Sequence, residues 1–362
     1  MAISYLKNWE EFRDQELIKA TLLLEQLGFS LDTKQVHISG ERYLTGNRKL
    51  VLLGFRNSDQ KPVVMKVSSD PAIISEIEDE RRSRNILKEI NFAYHIFSFP
   101  PEILYTHKQG CVIFITEFIE QEMTFLERPL AEQFFIALKA FEAQEAIHAT
   151  TYEHANIIKK VFGIFTAQIY LEKIKEYSRD IEIVFQDDKN LKGVLDRAHE
   201  FIANNLETID IYSNFLTHWD FVPHNFRVWG SEIYLLDHAA LRFGNKYESW
   251  ARFINFMTLY NEKLEQALLS YVKNNRDQSE YLSLRLMRVF RLVEIIWYYT
   301  NTLVKAVGDL HTLNQKRIIF WTKVLESVLA DQPVSRNIVE EYKRIRDNLR
   351  SPEEKERQKK LH

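Results

Sequence analysis

Between residues 36 and 118 the apolar positions come in short runs separated by polar turns: 36–39, 49–55, 62–68, 102–107 and 111–118. Runs of this length, bounded by turn residues, predict β-strands, and their close spacing predicts a small antiparallel sheet. The polar stretch 56–61 supplies the turn between the second run and the third. One helix interrupts the strands, beginning near Pro71, where Ile73, Ile77, Glu80, Arg84 and Leu87 recur at steps of four and three and so share a face. Beyond residue 118 the period becomes helical, most clearly over 131–149, 250–269, 280–307 and 315–330. A second, isolated hairpin is predicted from 226–228 and 233–236 around a turn at 229–232.

The pattern predicts an α+β chain of two lobes. Residues 1–119 form an N-terminal helix and a β-rich lobe, 120–350 a mainly helical lobe, and 351–362 a charged tail expected to fray. A length of 362 residues with 45% hydrophobic content fills a core in each lobe. Lys+Arg 48 against Asp+Glu 51 gives a net charge of −3, which removes the electrostatic argument for a nucleic-acid or anionic-membrane partner. The single cysteine, Cys111, lies in the apolar run 111–115 and reads as a small buried hydrophobe. Charges scattered through residues 1–16 leave no signal-peptide core, and Arg291 and Glu294 interrupt the apolar stretch 289–303. The expectation is a cytoplasmic protein, monomer or homodimer, with no membrane or nucleic-acid partner.

The chemistry concentrates in His218-Trp219-Asp220-Phe221-Val222-Pro223-His224-Asn225 and, shortly after, Leu235-Leu236-Asp237-His238. Phosphoryl transfer needs a carboxylate to orient the attacking hydroxyl and oxygen ligands that hold Mg²⁺ against nucleotide phosphates. Asp220 suits the first role, and Asn225 and Asp237 the second, because the hairpin between them returns one toward the other. Upstream, Lys66 is the only charge in the strand 62–67, and Glu80 interrupts the apolar stripe of the following helix. Paired, they would hold the lysine over the phosphates; taken singly, each is an ordinary lysine or glutamate at the edge of a core. The loop 39–48, with Gly40 and Gly46, can cover phosphates through backbone N–H groups, although two glycines in a turn are also common structure.

The segment Thr116-Glu117-Phe118-Ile119 falls where the composition changes, and an adenine would bind at such a hinge, against Glu117 and Ile119. His218, His224 and His238 also admit a transition-metal site for hydrolysis, a reading that leaves Asn225, Lys66 and Glu80 without roles. His148 shares a stripe with Phe134, Leu138 and Phe141 and reads as a core histidine.

Taken together these residues resemble the aminoglycoside phosphotransferase and choline kinase-like small-molecule kinases, over residues 36–256. His218-Trp219-Asp220 with Asn225 is similar to the family's His-Gly-Asp, four residues, Asn; Leu236-Asp237 to its Ile-Asp; Gly244 with Glu248 to its Gly and acidic residue; and Ala146-Ile147-His148 to its Leu-His. The resemblance implies a protein-kinase-like two-lobe fold, ATP (or GTP) and Mg²⁺ as cofactors, and transfer of the γ-phosphoryl group to a hydroxyl of an aminoglycoside-, amino alcohol- or sugar-like molecule. It assigns Asp220 as catalytic carboxylate, Asn225 and Asp237 as metal ligands, and Lys66 with Glu80 as the phosphate-binding pair. Trp219 stands where the family has glycine, which leaves open a non-catalytic nucleotide-binding regulator whose acceptor site is blocked.

Overall fold

The computed structural model describes residues 2–45, 48–89, 97–146 and 160–361. Strand alternation builds its first lobe. β1 (Phe29–Leu31), β2 (Leu50–Arg56), β3 (Pro62–Ser68), β4 (Glu102–Lys108) and β5 (Cys111–Glu117) form an antiparallel sheet in the order β1-β2-β3-β5-β4. Every second residue faces one way. Leu50 and Leu52, Val63, Met65 and Val67, with Ile113 and Ile115, bury one face against α1 (Ala2–Gln26) through Trp9, Leu23 and Leu24. The other face receives α2 (Pro71–Glu89), where Ile77 packs on Val112 and Phe114. Gly54 is required where β2 meets β1, because a Cβ there would lie 2.2 Å from the Ser30 carbonyl oxygen.

The run 36–39, expected as a strand, is a 3₁₀ turn over Val36–Ile38, and the edge strand is instead β1. The reason is a side chain. The Gln35 amide donates to the Leu53 carbonyl at 2.7 Å and accepts from the Leu53 N–H at 2.9 Å, satisfying β2 where another strand residue would have paired.

The second lobe is built from α3 (Leu130–Glu145), α4 (Ala167–Val184), α5 (Lys189–Ala203), α6 (Leu206–Ile211), α7 (Glu248–Tyr260), α8 (Glu262–Asn275), α9 (Gln278–Leu303), α10 (Asp309–Leu329) and α11 (Arg336–Leu349). α9 lies at its centre, with Val289, Phe290, Leu292 and Val293 fully buried. The expected single helix 250–269 is two, because Asn261 leaves the helical region at φ −153° and ψ 86°, ending α7, and its side chain caps α8 by accepting from the Leu264 N–H. Two small β-pairs lie on the side facing the sheet: β6 (Phe215–His218) with β9 (Leu241–Gly244), and the hairpin of β7 (Phe226–Trp229) and β8 (Glu232–Leu235). That hairpin is stitched to the chain leaving α2's side of the sheet, since Ser98 exchanges backbone bonds with Ile233 and Leu235 at 2.9 and 3.0 Å.

The charged tail is helical over the described residues. It forms α12 (Pro352–Leu361), which packs on the 3₁₀ turn Gly40–Thr45 of the first lobe. Glu354, 1% exposed, accepts from the Glu41 N–H at 3.2 Å, from Arg357 Nε and Nη2 at 2.8 Å each and from Gln358 at 2.7 Å. Among the described residues no helix is long and apolar enough to cross a membrane.

Candidate active site

The sheet face opposite α1 forms one wall of a cleft. Lys49, Val51 and Leu53 on the β2 side, Val64 and Lys66 on β3, and Phe114 and Thr116 on β5 all line it, and the register sets Val51 and Phe114 beside Lys66. Lys66 Nζ donates to both Glu80 oxygens at 2.5 Å, with Glu80 2% exposed, so the lysine and glutamate expected to pair do so. A second lysine was not anticipated. Lys49 Nζ donates to Glu76 Oε1 at 2.5 Å and lies 3.8 Å from Asp237 Oδ1. Burial works against its charge, but Asp237, Glu80 and Glu76 outweigh burial and raise its pKa above the ordinary lysine value.

The opposite wall begins at the end of β6. His218 is fully buried, and its Nε2 reaches the carbonyls of Leu236 and Asp237 at 3.1 Å each. Burial lowers its pKa, which favours the neutral ring donating from Nε2 and fixes His218 as a strut beneath the loop. Asp220 follows two residues on. Its Oδ1 accepts from Arg252 Nε at 2.9 Å, and its Oδ2 from Asn225 Nδ2 at 3.0 Å. Burial acts to raise this carboxyl, yet Arg252, then His224, Arg291 and His218, hold it well below the usual carboxylate range. Asp220 is therefore an oriented, ionised acceptor.

Asp237 ends the β7–β8 hairpin at φ 52° and ψ 62°, the left-handed region that a non-glycine residue enters at a cost. The conformation is held by its neighbours, through the Leu236 N–H donating to the Asn225 carbonyl at 2.9 Å and through His218. Asp237 Oδ1 is buried and has no hydrogen-bond partner among the described residues. Burial alone would raise its carboxyl, but Lys49, Lys66 and His218 prevail and lower it. Asn225 spends its amide nitrogen on the Asp220 carbonyl and carboxylate, at 2.8 and 3.0 Å, so its oxygen is the end left for another partner. Lys49 and Lys66 are ion-paired with Glu76, Glu80 and Asp237, and Arg42, Arg84, Arg227 and Arg357 with Glu117 complete the charged lining, so the wall is cationic overall, which suits the phosphates of a nucleotide. A carboxylate oxygen with no hydrogen-bond partner among the described residues and a free amide oxygen fit Mg²⁺, which takes oxygen ligands and keeps sites open for phosphate and water.

Asn225, Asp237, Lys66, Glu80, Glu117 and Ile119 all line one cavity of about 520 Å³. Asp220 lines a second, of about 690 Å³, together with Arg252. The two cavities share Arg42, Trp219, His224, Arg357 and Gln358. Trp219 does not fill the second cavity: its ring lies 5.4 Å from the Arg291 guanidinium and forms part of both walls. Gly40 lines neither cavity, since it sits at φ 61° against Glu354, and the loop presents Arg42 instead. Gly46 and His148 lie outside the described residues.

Glu248 is fully buried, accepting from Tyr170 Oη at 2.7 Å and pairing with Arg242, a structural post at the start of α7. Among the described residues, no three His, Cys, Asp or Glu side chains are grouped to hold a metal, so the histidine-rich hydrolase reading gains no geometry. Sequence reasoning missed Lys49, Glu76, Arg252 and Arg42. Of these only Arg252 left a trace, as a charge in the apolar stretch 250–259.

No family model and no curated protein matches the chain. Among solved structures it is similar to a thermostable mutant of aminoglycoside phosphotransferase APH(4)-Ia in its apo form, with a TM-score of 0.56 at 13% identity over 78% of this chain and 91% of that one. A ternary complex of a thermostable mutant of that enzyme with AMP-PNP and hygromycin B gives a TM-score of 0.55 at 13% identity, over 78% and 90% of the two chains. Another structure of aminoglycoside phosphotransferase APH(4)-Ia gives 0.54 at 14%, again over 78% and 90%. At these identities the likeness establishes the fold, the two-lobed protein-kinase-like architecture of aminoglycoside phosphotransferases, with a five-stranded antiparallel sheet in one lobe and helices in the other.

Proposed function

We propose that this protein is an ATP-dependent phosphotransferase that moves the γ-phosphoryl group to a hydroxyl of a small molecule. One observation carries the reading: Lys66 clamped by Glu80 faces, across one cleft, an Asp237 oxygen with no hydrogen-bond partner among the described residues, while Asp220 opens onto an adjoining cavity. In this assignment the nucleotide occupies the cleft, its base against the Glu117–Ile119 segment and its phosphates toward Lys66. Asn225 and Asp237 are the residues that would hold Mg²⁺, which supplies charge neutralisation on the phosphate oxygens. The acceptor hydroxyl oxygen forms a bond to the γ-phosphorus as the bond from that phosphorus to the β,γ-bridging oxygen breaks. ADP leaves, and the hydroxyl proton passes to Asp220.

A loose transition state asks little basicity of the acceptor of that proton, so a carboxylate held low by Arg252 serves as an orienting group. His218 and Arg252 are positioning residues. The test is turnover with ATP and Mg²⁺ against nucleotide binding. Asp220→Asn is expected to keep ATP affinity and lose about 10²- to 10⁴-fold in turnover, and Asp237→Ala to abolish Mg²⁺-dependent transfer. Undiminished Mg²⁺-dependent turnover by Asp237→Ala would sink the assignment.

A further inference from the structure

Every acid on the wall of the second cavity already has an arginine. Asp220 accepts from Arg252 at 2.9 Å, Glu41 from Arg317 at 2.8 and 3.0 Å, and Glu354 from Arg357 at 2.8 Å, while Glu294 is paired with Arg291. Two more arginines line the same cavity, Arg42 and Arg350, and neither has a salt-bridge partner among the described residues. Arg350 caps the end of α11, and its Nε is buried without a hydrogen-bond partner among those residues. Much of the remaining wall is aromatic, including Trp219, Tyr298 and the stacked pair Phe256 and Tyr260, whose ring centroids lie 4.2 Å apart.

Six arginines thus face four acids on this wall, and the planar fork of N–H donors that a guanidinium presents matches a carboxylate or phosphate. A polycationic amino sugar, by contrast, needs carboxylates free to receive its ammonium groups, and here each is already engaged. We infer that the acceptor carries an acidic group, a carboxylate or a phosphate, received by Arg350 with Arg42, and that amine-rich acceptors are excluded by charge. The inference rests on the kinase reading above and narrows its acceptor. Arg42 also lines the nucleotide cavity, whereas Arg350 lines only the second, so Arg350 is the specificity determinant.

The full chain, loaded with Mg²⁺ and AMP-PNP, is titrated calorimetrically with four probes: glucuronate, glucose 6-phosphate, glucose and kanamycin. ADP release is then measured with ATP and the same four compounds. At least one acidic probe is expected to bind about tenfold or more tighter than glucose or kanamycin, and the comparison of glucuronate with glucose 6-phosphate tells a carboxylate acceptor from a phosphorylated one. Arg350→Gln is expected to weaken that probe about tenfold and raise its KM while leaving the KM for ATP unchanged. Arg350→Lys, which keeps the charge, retains most of the preference. Equal or tighter binding of kanamycin or glucose, binding of neither acidic probe to the nucleotide-loaded protein, or an Arg350→Gln variant with unchanged affinities would each overturn the inference while leaving the kinase reading standing. Failure of AMP-PNP to bind is a separate outcome, which removes the kinase reading itself.

Discussion

His37 stands among three guanidiniums, and burial first, then Arg227, Arg357 and Arg42, push its pKa down to about 4. The folded protein therefore binds this proton less readily than the unfolded chain, whose histidine titrates near its ordinary value. Stability from the neutral ring is complete above about pH 6.5 and is lost as pH falls toward 4, on the order of 2 kcal/mol by pH 5. His37→Asn cannot titrate, so its urea-unfolding free energy is expected to change by about 2 kcal/mol less than the wild type's between pH 7 and pH 5. An identical acid dependence in both proteins would show that His37 is not held neutral. The same neighbourhood marks what single residues reveal. Lys66 and Glu80 were legible because each breaks an apolar pattern, and a charge in such a place needs a partner. Lys49 sits where a strand emerges from a polar loop, a position where lysine is usually solvated, and only the fold brings Glu76 and Asp237 to it. Arg42 and Gly40 are neighbours in one loop, and which of them faces the cleft depends on a turn whose conformation is set by α12.

At the scale of elements, the least legible part of the chain is also the part with the most specific contacts. The composition of α12 is almost wholly polar, and such a segment has too little apolar surface to order itself. It is ordered by Glu354, whose carboxylate gathers the Glu41 N–H, Arg357 and Gln358 into one buried knot. Glu354→Ala removes that knot and leaves Arg357 without its partner, so the helix is expected to detach and the 3₁₀ turn Gly40–Thr45 to loosen with it. Hydrogen exchange at the Glu41 amide is then expected to accelerate about tenfold or more, and unchanged protection would mean that the turn is held by Arg317 alone. The strands over 62–68 and 111–117 and the 226–235 hairpin were legible because period and turn chemistry agree. β1 was not, being three residues long at the end of a helix, and 36–38 mimicked a strand because Gln35 replaces backbone pairing with a side-chain amide, which no hydropathy pattern records. The division of 250–269 at Asn261 did leave a signal: an asparagine followed at once by Glu262 is an ordinary helix start.

For the whole molecule, the decisive property is that no lobe owns the candidate site. Lys49, Lys66 and Glu80 come from the sheet side, and Asn225, Asp237 and Asp220 from the helical side. The lobes are also tied by Ser98 to the β7–β8 hairpin and, at the rim of the second cavity, by Glu41 to Arg317 and by Lys305 to the Leu44 carbonyl at 3.2 Å. A ligand that touches both walls binds only when both are folded, and so adds its free energy to each. At a hundredfold excess over its Kd, Mg²⁺ with AMP-PNP contributes about 2.7 kcal/mol, which for a chain of this size raises Tm by roughly 3–4 °C. Scanning calorimetry is expected to show the whole unfolding envelope moving upward in the wild type. In Asp237→Ala the increment due to Mg²⁺ disappears while the increment due to nucleotide alone persists, because Lys66 and the hinge remain. The informative alternative is a split response: if nucleotide and Mg²⁺ shift one part of the envelope and leave the rest in place, the ligand touches a single lobe. Asp237 and Lys66 would then not act on the same phosphates, and the Asp237 oxygen left without a hydrogen-bond partner among the described residues would need another explanation than a bound cation.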